Sequence, residues 1–336
     1  MKRTVGLPDL HPGKGSPIGA AYIAKDCFYP HLVGGDIGCG MSLFQTDLKV
    51  RKIKLDKWTQ KLHIEGPWNG DRQAFVEEFN LPDWDDALGT IGGGNHFTEL
   101  QRVEKIVDEV LAQKLKLEKD KLQLMVHSGS RGLGQAILRK HTDKRGGEAL
   151  DDDSAEGKEY IERHNYAMHF AEANRQLIAR RFLKQLNATG HCLTDMTHNS
   201  VTACAEGWLH RKGAAPSDQE FVLIPGSRGS FSYVVSPLGD QQNNAWSLAH
   251  GAGRRWNRTQ TKARLAKKYS QNSLRRTALG SRVICSDKEL LYEEAPQAYK
   301  NIDRVIADLV ELGLVKVVAV MKPVITYKTN KERSCR

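Results

Sequence analysis

Apolar positions recur along this 336-residue chain at two spacings. From about Gly157 to Leu186 they follow the three-and-four rhythm of a long helix. It is expected to end near Asn187 and Gly190, residues that tolerate the left-handed backbone of a helix terminus. Residues 295–312 repeat that rhythm ahead of a strand at 315–321, and residues 99–117 also mix apolar and charged positions at helical spacing. Leu122-Gln123-Leu124-Met125-Val126 reads as a buried strand, and Phe221–Ile224 and Tyr233–Val235 read as strands flanking a turn. Residues 1–45, rich in Gly and Pro with short apolar pieces such as Ala20–Ala24, predict strands and tight loops. Residues 55–87 carry helical patches and loops, and the charged stretch 141–158 predicts an exposed excursion. No internal repeat, low-complexity tract or linker divides the chain. The expectation is one α+β domain over residues 1–336, with central β-sheets flanked by helices.

Composition narrows the class. Hydrophobic residues make up 40% and charged residues 27%, an ordinary soluble balance. No apolar run approaches a membrane span. The start, Met1-Lys2-Arg3-Thr4, leads into Gly and Pro rather than a secretory signal, so the expected location is the cytoplasm. The six cysteines, at 27, 39, 192, 204, 285 and 335, include no CxxC pair, which argues against a zinc ribbon or a disulfide framework. In a reducing compartment a functional cysteine would be a thiolate ligand or a nucleophile. The net charge of +10 favours polyanionic partners, nucleic acid above all, and nine Lys or Arg fall within residues 254–277.

Candidate chemistry gathers in five glycine- or asparagine-flanked loops. They are Gly35-Asp36-Ile37-Gly38-Cys39-Gly40, Gly92-Gly93-Gly94-Asn95-His96-Phe97, Val126-His127-Ser128-Gly129-Ser130-Arg131-Gly132, Thr197-His198-Asn199 and Ala249-His250-Gly251-Ala252-Gly253-Arg254. A lone cysteine is usually a small buried hydrophobe and a lone histidine a structural group. Five such loops in one chain point instead to a site. One Asp, one Cys and three His could bind two divalent ions with the thiolate bridging, a donor set suited to Zn, Fe, Co or Mn rather than Mg or Ca. Thr197 and Asn199 are placed to orient His198. His164 and His169 lie off one helical face and read as structural, and His63, His141 and His191 read as surface residues. His11 and His210 either face a phosphate or sit in a solvated basic loop. There is no Walker loop, but Pro225-Gly226-Ser227-Arg228-Gly229-Ser230 and the loop at His250 could offer backbone N–H groups to phosphate oxygens.

Together these stretches resemble the RtcB family of RNA ligases. The matching segments are Pro8–Gly13, Asp36–Gly40, Gly94–Glu99, His127–Gly132, His198-Asn199, His210–Ala214, Ile224–Ser227, His250–Arg254 and Glu294–Lys300, in family order across nearly the whole chain. The resemblance implies a cleft holding a dinuclear metal site in a single RtcB-like domain. It also implies two Mn²⁺ ions, GTP, and an RNA partner with a 3′-phosphate or 2′,3′-cyclic phosphate end and a 5′-hydroxyl end, with no membrane partner and a monomeric enzyme. Asp36, Cys39 and His96 would hold one ion, and Cys39, His127 and His198 the other. His250 would be the guanylylated nucleophile. Asn95 would contact the GMP phosphate, Glu99 and Lys328 would read the guanine edge, and Tyr299 would stack on the base. Ser227, Ser232, Gly251, Ala252 and Gly253 would line the pocket. Seven residues precede Pro8 where the family has several dozen, so the N-terminal part of the family domain is expected to be shortened. Arg228 replaces a methionine common in the family, as a phosphate clamp or the partner of an acidic neighbour, and eight residues follow Lys328. Two other readings remain: a dinuclear metal-dependent phosphoesterase acting on RNA ends, and a non-catalytic RNA-binding paralogue.

Overall fold

The computed structural model describes residues 1–66 and 68–329; Cys335 lies outside the described residues. An eight-stranded sheet forms its centre. Seven strands run antiparallel in the order Val222–Ile224, Ser232–Pro237, Val315–Thr329, Phe97–Ile106, Lys121–Ser128, Gly40–Lys49 and Gly190–Thr197, and Arg282–Cys285 joins Val315–Thr329 in parallel. Both faces of this sheet are covered, which is why its central strand reads as a continuous apolar run. Leu122, Leu124 and Val126 pack with Phe44, Ile178 and Phe182 on one side, while Met125 packs with Met41, Val222 and Leu309 on the other.

The long helix spans Ala155–Gln185, as the periodicity predicts. Ser154 caps it by accepting from the Gly157 N–H at 3.0 Å, and Asn187 closes it with φ 53°. On the other face lies the helix Ile302–Glu311, whose Ile302, Val305, Ile306 and Leu309 are buried at helical spacing. It begins later than position 295, because Asn301 supplies the cap by accepting from the Asp303 N–H. The following strand runs past residue 321 to Thr329 because Pro323, which has no N–H to donate, sits at a bulge.

Residues 99–106 are strand rather than helix, and only Glu109–Lys114 within 99–117 is helical. Leu100 faces one buried cluster while Val103 and Ile106 face the other, with a register shift after Val103 in the pairing with Val315–Thr329. A change of face followed by a bulge reproduces a three-residue rhythm without a helix. The stretch 141–158 is mostly exposed, as expected, but carries regular structure: the helix Gly132–Arg145 covers its start, and Leu150–Asp151 pairs with Cys27–Phe28. His141 is buried there against Tyr160, not at the surface; His63 is half-buried and His191 exposed.

A second sheet, in the order Arg3–His11, Ile18–Ala24, Gly207–Lys212 and Asn199–Cys204, carries the N-terminus against the pair Ala214–Pro216 and Ser247–Ala249. Among the described residues no helix is long and apolar enough to cross a membrane.

Candidate active site and metal centre

Strand register, not sequence proximity, assembles the site. Cys39 precedes the strand Gly40–Lys49, in which Gly40 pairs with both Ser128 and Thr197. His96 precedes Phe97, which pairs with His127. His198 follows Thr197, and its N–H donates to the Cys39 carbonyl at 2.9 Å. Asp36, Cys39, His96, His127 and His198 therefore converge at one edge of the central sheet. Gly129 permits the closeness, since a Cβ there would lie 2.3 Å from an Asp36 carboxylate oxygen.

The convergence has a definite polarity. His96 Nδ1 lies 3.1 Å from the Ile91 carbonyl and His127 Nδ1 lies 3.3 Å from the Asn95 carbonyl. A carbonyl only accepts, so each Nδ1 carries the proton and each Nε2 presents a lone pair. Those Nε2 atoms meet at the Cys39 sulfur, 3.2 Å from His96 and 3.3 Å from His127. Asp36 Oδ2 is 2.8 Å from His96 Nε2, and His198 Nε2 is 3.4 Å from His127 Nε2. The ligand atoms of Cys39, His96 and His127 all lie within 4.8 Å of one another. Burial holds the His127 and His198 imidazoles neutral, well below the usual histidine range. Burial and the Asp36 charge push the Cys39 thiol well above its usual value. Burial raises the Asp36 carboxyl too, and it is held at about 2 only where positive charge sits at His96 Nε2, the place a metal ion would take. Buried lone pairs and an anion face each other with few protons to share, the arrangement a divalent cation resolves by deprotonating the thiol. The residues present therefore fit a metal centre.

His250 stands beside this cluster, its ring centroid 4.9 Å from that of His198. Its Nδ1 lies 2.6 Å from Asp9 Oδ2, and its backbone N–H donates to the same oxygen at 3.2 Å. Asp9 is fully buried in the strand Arg3–His11. With Nδ1–H committed to the carboxylate, Nε2 is the atom left to act as a nucleophile. Gly253 makes the approach possible with φ 69°, since a Cβ there would meet the Asp9 carbonyl at 2.2 Å.

Two cavities meet at His250, Asn95 and Arg258. The first is lined by Glu99, Ser227, Gly251, Ala252, Gly253, Tyr299 and Lys328, as well as His127. The Glu99 carboxyl accepts from Gln101 Nε2 at 2.6 Å and from the Thr326 hydroxyl; burial raises its pKa to about 7. Burial lowers the Lys328 ammonium, against the pull of Glu294. Tyr299 donates its hydroxyl to Glu294, and the Arg254 guanidinium lies 5.2 Å from its ring centroid. Ser232, expected to line the pocket, lies behind it and accepts from the Gly226 N–H at 3.1 Å, fixing the turn that carries Ser227. The second cavity exposes Asp36, Cys39, His96 and His198 beside Lys14, Arg131, Arg139 and Lys212, a basic cleft over the cluster.

Other expectations resolve here. Asn199 ties the Asp36 loop rather than His198: its Nδ2 donates to the Asp36 carbonyl at 3.1 Å and its Oδ1 accepts from the Gly213 N–H at 2.7 Å. His11 faces the first cavity, whereas His210 is enclosed in a strand and accepts from the Tyr29 N–H at 3.0 Å. Arg228 forms no ion pair with an acid among the described residues; it lines the first cavity and donates to the Leu291 carbonyl at 2.8 Å. Asp9 received no role from the sequence. It lies within a matching segment, but its partner is 241 residues away.

The family described as tRNA-splicing ligase RtcB matches residues 1–67 and 55–329. The RNA-splicing ligase RtcB2 of Escherichia coli is 50% identical over 98% of this chain and 89% of its own length. The tRNA-splicing ligases RtcB of Nanoarchaeum equitans and Thermococcus kodakarensis are 30% and 31% identical, over 98% and 96% of this chain and 88% and 86% of their own lengths. Matches of this extent, on the same segments that build the site, show that this chain belongs to the RtcB ligase family.

Proposed function

We propose that this protein is a GTP- and Mn²⁺-dependent RNA ligase that joins 3′-phosphate or 2′,3′-cyclic phosphate ends to 5′-hydroxyl ends, in RNA repair or tRNA splicing. The observation that carries the reading is the convergence of the Cys39, His96, His127 and His198 ligand atoms beside a carboxylate-oriented His250, where the two cavities meet. Asp36, Cys39 and His96 would hold one ion and Cys39, His127 and His198 the other. Bound there, the ions would act as Lewis acids on phosphoryl oxygens.

The remaining chemistry belongs to the chain. His250 Nε2 attacks the α-phosphorus of GTP, a P–N bond forms and pyrophosphate leaves. Asp9 holds the Nδ1 proton and offsets the positive charge that develops on the ring. Asn95 contacts the GMP phosphate. A 2′,3′-cyclic phosphate first takes up water and loses its P–O2′ bond to leave a 3′-phosphate; GMP then passes to an oxygen of the RNA 3′-phosphate, restoring free Nε2. The RNA 5′-hydroxyl attacks the 3′-phosphorus, GMP leaves, and a phosphodiester remains. Glu99 accepts from guanine N1 and N2 donors and Lys328 donates to O6, so adenine would leave both groups unpaired. Tyr299 supplies an aromatic face for the base, and Lys14, Arg131 and Lys212 line the cleft where RNA phosphates would lie.

Incubation with α-labelled GTP and Mn²⁺ tests the reading. The expected result is an acid-labile, alkali-stable label on the wild type and none on His250→Ala. Release of phosphate from RNA ends with no labelled protein would establish the phosphoesterase instead. Absence of both activities, with RNA binding retained, would establish the non-catalytic paralogue.

A further inference from the structure

Each loop that bears a ligand in the proposed metal centre is tied, directly or through one more contact, to two adjacent residues of the long helix. Arg175 is fully buried and its guanidinium spans three segments. Nη1 donates to the carbonyls of Gly38, next to Cys39, at 2.8 Å and of Ser128, next to His127, at 3.1 Å. Nε and Nη2 donate to the two carboxylate oxygens of Asp195, at 2.8 Å and 2.5 Å, on the strand that leads into His198. Asn174 is fully buried as well. Its Oδ1 accepts from the Gly89 N–H at 2.7 Å, and its Nδ2 donates to the Thr90 carbonyl at 3.2 Å, the Gly129 carbonyl at 3.1 Å and the Ser128 hydroxyl at 3.0 Å. That hydroxyl donates in turn to the Ile91 carbonyl at 2.8 Å, the same oxygen that fixes the His96 ring through Nδ1.

Resting on the metal-centre reading above, we propose that Asn174 and Arg175 are the positioning pair of that centre, holding its four ligand-bearing segments in register. These segments leave the sheet as loops, and a loop carbonyl buried beside a metal site needs a donor. A planar guanidinium with five donors in a fixed fork, and an amide with two donors and an acceptor, supply such partners in one rigid helical turn. Ladder pairing places the strand ends, and the helical pair sets the loop conformations from which the side chains project. Neither residue touches the ligand atoms, so their effect passes through Gly38, Ile91, Ser128 and Asp195.

Metal binding by the purified full chain, read directly, tests the pair. Co²⁺ titration would follow the thiolate-to-cobalt absorption band of Cys39, and Mn²⁺ titration the free ion by electron paramagnetic resonance. Asn174→Asp keeps the size and the acceptor but loses the donors, and Arg175→Lys keeps the charge but loses the fork. Each is expected to weaken metal binding by about 10- to 100-fold, with a shifted or reduced cobalt band. Phe182→Leu serves as a control, because Phe182 lies two turns beyond Arg175 on the same helix, packs against Tyr327 and offers no hydrogen bond to these loops. It is expected to lower the thermal midpoint while leaving affinity and band unchanged. If Arg175→Lys does not fold, Asn174→Asp decides. Wild-type affinity and band in folded Asn174→Asp would overturn the proposal, as would equal losses in the Phe182→Leu control. A wild type that binds neither ion through a thiolate would instead refute the metal-centre reading itself.

Discussion

Replacing Asp9 by Asn isolates one electrostatic contribution to the proposed nucleophile. The Asp9 carboxylate is fully buried, and one oxygen receives both the His250 ring N–H, at 2.6 Å, and the His250 backbone N–H, at 3.2 Å. Two donors converging on one oxygen would hold an amide oxygen in the same place, so Asp9→Asn keeps the geometry and removes the charge. A hydrogen bond to a charged group contributes about 1.5–3 kcal/mol and a neutral one about 1, so the loss is about 0.5–2 kcal/mol. The carboxylate matters most once the ring is positive, after Nε2 has bonded to phosphorus, so the loss falls on the transition state of guanylylation. That corresponds to about 2- to 30-fold in rate. Single-turnover labelling from α-labelled GTP with saturating Mn²⁺ measures it. Sealing of an RNA already carrying GMP on its 3′ end should be spared, because the final displacement does not need His250. A labelling rate within twofold of wild type, or an equal loss in the pre-activated reaction, would refute the assignment.

Three further outcomes follow from the geometry. Gly129→Ala puts a Cβ against the Asp36 carboxylate and should abolish thiolate-linked metal binding, measured by Co²⁺ absorption, while the chain stays folded by circular dichroism; unchanged binding would remove Asp36 from the centre. His164 and His210 are buried with pKa values lowered by desolvation to about 4, so the unfolded chain takes up their protons first as pH falls. Their contribution is complete above about pH 6.5 and lost towards pH 4, at about 3 kcal/mol each, and denaturant midpoints at pH 7 and pH 4.5 should differ accordingly. Burial lifts the Glu99 carboxyl to about 7, so GTP affinity should fall as pH drops from 8 to 6 and Glu99→Gln should flatten that profile; a pH-independent wild type would mean that Glu99 does not accept from the base.

Helices and buried strands with one plain rhythm were legible in the sequence: the long helix, expected from about Gly157 to Leu186 with its terminator and found over Ala155–Gln185, and the apolar centre of Lys121–Ser128. Their signals are local, since a hydrophobic period and a capping side chain act within a few residues. The stretch 99–106 misled because a bulge and a change of face depend on what the strand pairs with, which only the partner strand Val315–Thr329 supplies. The same division runs through the site. Chemistry-bearing residue types beside Gly announced Asp36, Cys39, His96, His127, His198 and His250, because polar side chains at turns are a local pattern. Their partners were silent. Asp9 reaches His250 across 241 positions, and Asn174 and Arg175 sit in a helix whose sequence shows only periodicity. An acid or an arginine becomes a site residue when burial removes water and leaves one oxygen or one fork to satisfy its neighbours. Burial of that kind is a property of packed layers, so tertiary structure alone decided it.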